Sequence, residues 1–410
     1  MKRNVALAMV FSFVFASSVH AQECRDQMIL AAHERVMTAG IDTTGHWYAI
    51  SQPFESMVGL IIDGRPYGPY ESALPPRFSH DGGSFVAGVK TLGQWSVLTA
   101  TDSIALSGDV LYDVRFPALS DVPWWHHANG QDHRLSTRGK TYTCSRSPQM
   151  LSLDPSGTVA AWVESTSAGD LLMRNGQEIA RGEQLLIAGV WSDGSVVYAV
   201  RFGSVWSVFV GTREIVRSLL SVGEFQTNLA GTSCGFHAAD ATGLARMYVY
   251  TADMQEPWMS QPCENISGFV LAPWEPLAAA IITRNGNRSV SFQGTEYPAG
   301  QQTGPIGFTP DGSTMMYAGF DGEHFITLNG KQNRVKGAVN LRVPLSIDQT
   351  GTSAAWASST TLAKANLEYQ VLRLGKMCDS MLSVVYNRRK NVFQGLGYMG
   401  RHLFLLECKP

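Results

Sequence analysis

Charge is scarce in this chain and balanced in sign. Only 16% of its 410 residues are charged, 32 Lys and Arg against 34 Asp and Glu, for a net charge of −2. That balance excludes the basic stripe with which a dedicated nucleic-acid binder neutralises phosphates, so no nucleic-acid partner is expected. Long apolar runs are also missing. No segment reaches the roughly 20 apolar residues that a spanning helix needs, so no transmembrane segment is expected. Nor does a long stretch repeat its apolar residues every 3.6 positions; residues 25–38 allow one short helix at most. The six cysteines include no C-x-x-C pair, the usual start of a zinc cluster, and no D-x-D-x-D-G string marks a calcium loop. No metal and no cofactor is expected. Disorder is excluded as well, because 44% of residues are apolar and 10% aromatic.

What is present begins with a leader. Lys2 and Arg3 precede the apolar run from Val5 to Ala16, and Val19-His20-Ala21 supplies a small-x-small cleavage pattern. Residues 1–21 are therefore read as a signal peptide and 22–40 as a lead-in segment. Glu23 directly before Cys24 does not suit lipidation, so the expected product is unanchored, in a periplasm or outside the cell. Six cysteines fit an oxidising compartment and permit 15 pairings. Cys234 to Cys263 and Cys378 to Cys408 have similar separations, which favours those two pairs and leaves Cys24 with Cys144.

The dominant signal is repetition. LSLDPSGTVAAW (151–162) and LSIDQTGTSAAW (345–356) agree at eight of twelve positions, and FSHDGGSFVAGV (78–89), VWSDGSVVYAV (190–200) and GFTPDGSTMMYAG (307–319) are related. Turn markers fall at Gly45, Gly82, Gly157, Gly194, Gly243, Gly312 and Gly351, with an eighth at Trp274-Glu275-Pro276. Steps of 37 to 39 residues recur between neighbouring markers, the period of a four-stranded propeller blade. A second glycine turn follows most markers after a short interval, around Gly64, Gly176, Gly211, Gly294 and Gly330. Asp, Asn and Gly are what a strand needs in order to reverse within a few residues, and the flanking Val, Ile, Tyr, Phe and Trp are strand formers. The expected fold is an all-β propeller of four-stranded blades over residues 41–410, eight blades favoured and seven the alternative. The stretch 103–145, where the repeat fades, is read as a degenerate blade or an insertion.

The strings Phe78-Ser79-His80-Asp81-Gly82 and Phe308-Thr309-Pro310-Asp311-Gly312 resemble the WD40-like repeat of exported bacterial TolB-type β-propellers. The resemblance covers about residues 40 to 410 and implies a fold, not an activity, because propellers host enzymes, receptors and scaffolds alike. TolB-type proteins carry a separate N-terminal domain before the propeller; only some twenty residues lie between the expected leader and the first repeat here, so a TolB role in the envelope is not expected.

Candidate chemistry is thin. Gly231-Thr232-Ser233-Cys234-Gly235 matches the nucleophile-elbow pattern, but that motif works only between the strand and helix of a doubly wound domain. No catalytic residue is assigned. The densest polar and aromatic cluster is Trp124, Trp125, His126 and His127, followed by Asp132 and His133. On a projecting loop these six could bind a protein or sugar ring, and they are the sequence's candidate binding residues. Trp47, Trp162 and Trp356 recur at one repeat phase and are expected between blades. Arg388-Arg389-Lys390 reads as a solvated turn. The functional expectation is a monomeric, non-catalytic binding or scaffold protein. Its ligand is a cell-envelope protein or an extracellular glycan, on one face or at the channel mouth of the ring. The alternative is a propeller hydrolase or lyase acting on glycans at the central channel.

Overall fold

The computed structural model describes residues 24–30, 35–106, 108–309, 311–328, 330–335, 337–358, 360–366, 373–374 and 378–410. The leader expected over residues 1–21 lies outside them. The described residues form ten antiparallel sheets. Nine follow chain order: blade 1 (35–70), blade 2 (72–106), blade 3 (110–144), blade 4 (149–182), blade 5 (184–219), blade 6 (221–259), blade 7 (265–298), blade 8 (302–334) and blade 9 (346–374). Blade 10 joins the two ends of the described chain. Its strands Ser380–Asn387, Val392–Met399 and His402–Cys408 are completed by Cys24–Leu30, which pairs antiparallel with the last of them. The first strands of successive blades lie beside one another and so surround the axis.

Ten apolar interfaces close this ring. Trp162 packs with Trp124 and Leu135 between blades 3 and 4, and Trp356 with Met316 and Ile326 between blades 8 and 9. Trp47 meets Leu396 and Leu405 across the junction of blades 10 and 1. Every other neighbouring pair has its own buried cluster. The alternation of strand side chains produces this layering, since one face of each sheet meets the blade before and the other the blade after. The repeated tryptophans are therefore inter-blade packing, as expected.

The ring has ten blades, not eight or seven. Seven first hairpins share one turn, in which a glycine N–H donates to the carbonyl three residues earlier, as from Gly45 to Asp42 and from Gly351 to Asp348. In blades 1, 4 and 9 the Asp carboxylate also caps the turn; that of Asp154 accepts from the Val159 N–H at 2.6 Å and also from Ser156. Three first turns depart from this chemistry; that of blade 7 was still marked by Trp274-Glu275-Pro276, and the other two escaped detection. The turn of blade 3 spans 116–123 without a glycine, and that of blade 10 is Asn-Arg-Arg-Lys-Asn over 387–391. Gly243 does mark blade 6, but it lies in that blade's second hairpin; Gly231 occupies the first.

The disulfide pairing also differs. Cys24 bonds to Cys408, so neither Cys24–Cys144 nor Cys378–Cys408 forms, and Cys234 and Cys263 are separate buried thiols. The expected lead-in segment hides the reason. Cys24–Leu30 is itself a blade strand, and its register places Cys24 directly opposite Cys408. Burial pushes the thiols of Cys144 and Cys234 up to about 12, which keeps them protonated and inert.

Candidate functional site

Residues 124–133 are not a projecting loop. They form the second and third strands of blade 3, with Trp124–Asn129 paired to Asp132–Thr137. Trp124 faces blade 4 and Trp125 faces blade 2, both buried. His126 is buried as well; its Nε2 lies 3.1 Å from His133 Nδ1, and its ring stacks on Tyr112 at 4.8 Å. Burial, reinforced by the neighbouring His133, pushes the His126 imidazole down to about 4, so it is neutral at neutral pH. Asp132 stays exposed at the hairpin. The six candidate residues therefore divide between two inter-blade faces and a turn, and share no common surface.

His127 has the partners of a hydrolytic triad. Its Nδ1 lies 2.5 Å from Asp109 Oδ2 and its Nε2 lies 2.9 Å from Ser136 Oγ, which contacts Thr141 Oγ1 at 3.0 Å. Access is what it lacks. Ser136 is 3% exposed and lines none of the cavities described below, so no substrate carbonyl reaches it. The arrangement links the second, third and fourth strands of the blade to Asp109, just before its first strand, by buried hydrogen bonds. Ser233 is likewise unavailable. It opens the second strand of blade 6 and is fully buried, and no helix follows it.

The cavities lie where the first hairpin turns converge. One of about 780 Å³ is bounded by turns or strand ends of blades 1, 2, 6, 7, 8, 9 and 10. His80 of blade 2 meets Trp274 of blade 7 edge to face at 5.6 Å. These blades stand five apart in a ring of ten, so turns from opposite sides meet over the axis. A cavity of about 670 Å³ at the junction of blades 10 and 1 shares Thr44 and Arg389 with the central one. Another of about 520 Å³ beside blades 2 and 3 shares Thr43, Thr44, His80 and Leu229. Together the three make one groove across this face.

Arg388 and Arg389 are held in the groove by the closing blade. Asn387 Nδ2 donates to Gln394 Oε1 at 3.0 Å, and Gln394 Nε2 donates to Glu407 Oε1 at 2.6 Å. Lys390 Nζ and Arg25 Nε donate to the same carboxylate at 3.2 and 2.7 Å. Burial alone would raise the Glu407 pKa, but these three donors outweigh it and hold the carboxyl below its usual range. Lys390 is thereby neutralised, whereas Arg388 and Arg389 form no ion pair among the described residues. Nearby, His46 Nδ1 lies 2.5 Å from Asp63 Oδ2, and that hydrogen bond raises the imidazole pKa against the effect of burial. Asp81 accepts from the Gly83 N–H and Ser79 Oγ of its own turn, which, with a smaller contribution from the charge of Arg389, lower its pKa.

Sequence reading missed His80, Trp274, Arg388 and Arg389. A signal was present, since the turns at 272–277 and 387–391 depart from the repeat's Asp-x-x-Gly pattern, and they carry the groove's tryptophan and arginines.

No family model matches the sequence, and no characterised protein matches it. Among solved structures it is similar to one described as the crystal structure of the eukaryotic initiation factor, with TM-score 0.49 and 9% identity over 77% of this chain and 91% of that one. It is also similar to the Dos1 propeller, with TM-score 0.41 and 9% identity over 82% and 92%. The propeller assignment rests on the ten sheets themselves. The likeness to TolB-type repeats is carried by the repeat strings alone.

Proposed function

We propose that this chain is an exported, non-catalytic binding or scaffold propeller whose protein or glycan ligand docks in the groove on the first-turn face. One observation carries the reading: turns or strand ends of seven blades converge on a single cavity in which His80 and Trp274 meet across the axis. Aromatic groups in a concave site formed by several rigid elements are the usual makings of a binding pocket. On this reading residues 1–21 are removed on export and the mature chain acts as a monomer in a periplasm or outside the cell. The Cys24–Cys408 disulfide suits that compartment, and no helix among the described residues is long and apolar enough to cross a membrane.

The test is affinity capture from envelope and culture fractions, together with a glycan array. Both use residues 22–410 and the Trp274→Ala variant. A ligand retained by the wild type and lost by the folded variant supports the groove. Equal retention by both moves the binding surface elsewhere.

A further inference from the structure

We propose that the groove recognises an acidic oligosaccharide, one bearing uronate carboxylates along a chain of sugar rings. This rests on the groove being the binding surface. The charge pattern sets the sign of the ligand. Six lysine and arginine side chains line the groove against four carboxylates, and two of those four have basic partners: Glu407 is held by Arg25 and Lys390, and Asp63 by His46. Exposed Arg77, Arg388 and Arg389 line the groove and form no salt bridge among the described residues, although the charge of Arg389 reaches Asp81 and helps to lower its pKa. Arg77 lines the cavity beside blades 2 and 3, Arg388 the central cavity and Arg389 both the central one and that at blades 10 and 1, so the cations are spread along the groove. An elongated polyanion can meet both ends at once, which a single small anion cannot. Arginine suits carboxylates in particular, because its planar fork can donate two parallel hydrogen bonds.

The walls select a sugar over an acidic peptide. Trp274 and His80 put aromatic rings in the wall, the groups on which the C–H side of a pyranose packs, and Thr43 and Thr44 put hydroxyls beside them. One mode of peptide capture, main-chain pairing with a free strand edge, is not offered by these turns. The turns bordering the groove use their backbone groups internally, as from Gly45 to Asp42, from Gly82 to Ser79 and from Gly312 to Thr309.

The experiment is titration calorimetry on residues 22–410 with three probes: hexagalacturonate, its fully methyl-esterified form, and hexaglutamate. The proteins are the wild type, Trp274→Ala and Arg388→Gln/Arg389→Gln. The expected result is binding of hexagalacturonate, weakened at least tenfold by esterification and at least tenfold by the arginine changes, with loss of binding in Trp274→Ala. Thermal melts matching the wild type exclude misfolding as the cause. Equal binding of the esterified probe overturns the acidic class and leaves the groove standing. Binding of hexaglutamate in place of the sugar overturns the glycan and makes the ligand an acidic peptide. Hexagalacturonate binding that neither variant alters overturns the groove itself. No binding by any probe overturns the acidic-oligosaccharide proposal, while the groove is still judged by the Trp274→Ala capture comparison.

Discussion

Replacing Cys24 and Cys408 with serine removes the covalent link between the two strands that close the ring. The bond joins residues 384 positions apart, the span that sets its chain-entropy effect. The loop-entropy relation gives about 20 cal/mol/K for such a loop, or about 6 kcal/mol at 25 °C, while measured disulfides seldom exceed about 5 kcal/mol. We expect a loss of about 4 kcal/mol. With an unfolding entropy of about 2.1 cal/mol/K per residue, that lowers the melting temperature of the mature chain by about 5 °C. The effect should begin locally. Cys24–Leu30 is an outermost strand, held otherwise by its ladder to Leu403–Cys408 and by the Arg25–Glu407 pair. Hydrogen exchange should therefore quicken first over 24–30 and 402–408. Scanning calorimetry and exchange mass spectrometry read both effects, and a reductant should reproduce them in the wild type, since the four other cysteines are thiols. An unchanged melt in the double variant, or exchange that quickens elsewhere first, refutes the reasoning.

Four further outcomes follow from the same contacts. Because His126 titrates at about 4 in the fold against 6.5 free, its contribution to stability should be constant above pH 6.5 and fall by about 3 kcal/mol between pH 6.5 and 4; His126→Leu should remove that part of the pH dependence in denaturant titrations. The depressed Glu407 carboxyl adds stability above its ordinary pKa that is lost as pH falls through the folded value, so Glu407→Gln should reduce the acid sensitivity of exchange at the closing blade. Trp162→Ala, which empties the fully buried centre of the interface between blades 3 and 4, should cost about 3–5 kcal/mol by calorimetry. A fluorophosphonate probe should leave Ser136 and Ser233 unlabelled in the folded protein; labelling of either would show that its burial is breached.

The repeat was legible wherever a turn used Asp and Gly, because that chemistry is dictated by the tight reversal itself. Blades 1, 2, 4, 5, 8 and 9 announced themselves in this way. Blade 3 was hidden because a longer turn, 116–123, needs no positive-φ residue. Blade 10 was hidden because Asn387 and Lys390 shape its turn through side-chain hydrogen bonds to Gln394 and Glu407. The Cys24–Cys408 bond was illegible for another reason: closing a ring makes the two ends of the described chain neighbours, which sequence separation conceals. The groove was hidden by the same geometry, since His80 and Trp274 are 194 residues apart and meet only across the axis. The tryptophan–histidine cluster drew attention by composition, yet its side chains are those of a blade core. Gly45 shows how tight the closure is. It has φ 85°, and a Cβ there would fall 1.8 Å from Asn387 Nδ2.

The most direct test of the convergence of turns over the axis needs no ligand. His80→Cys and Trp274→Cys place thiols on blades 2 and 7, five apart in the ring, where the native side chains touch. A short bis-methanethiosulfonate reagent should join them in the folded monomer, read as an 80–274 linked peptide by mass spectrometry. Both thiols reacting singly, with no link between them, would contradict a ten-bladed ring whose opposite turns meet at one groove.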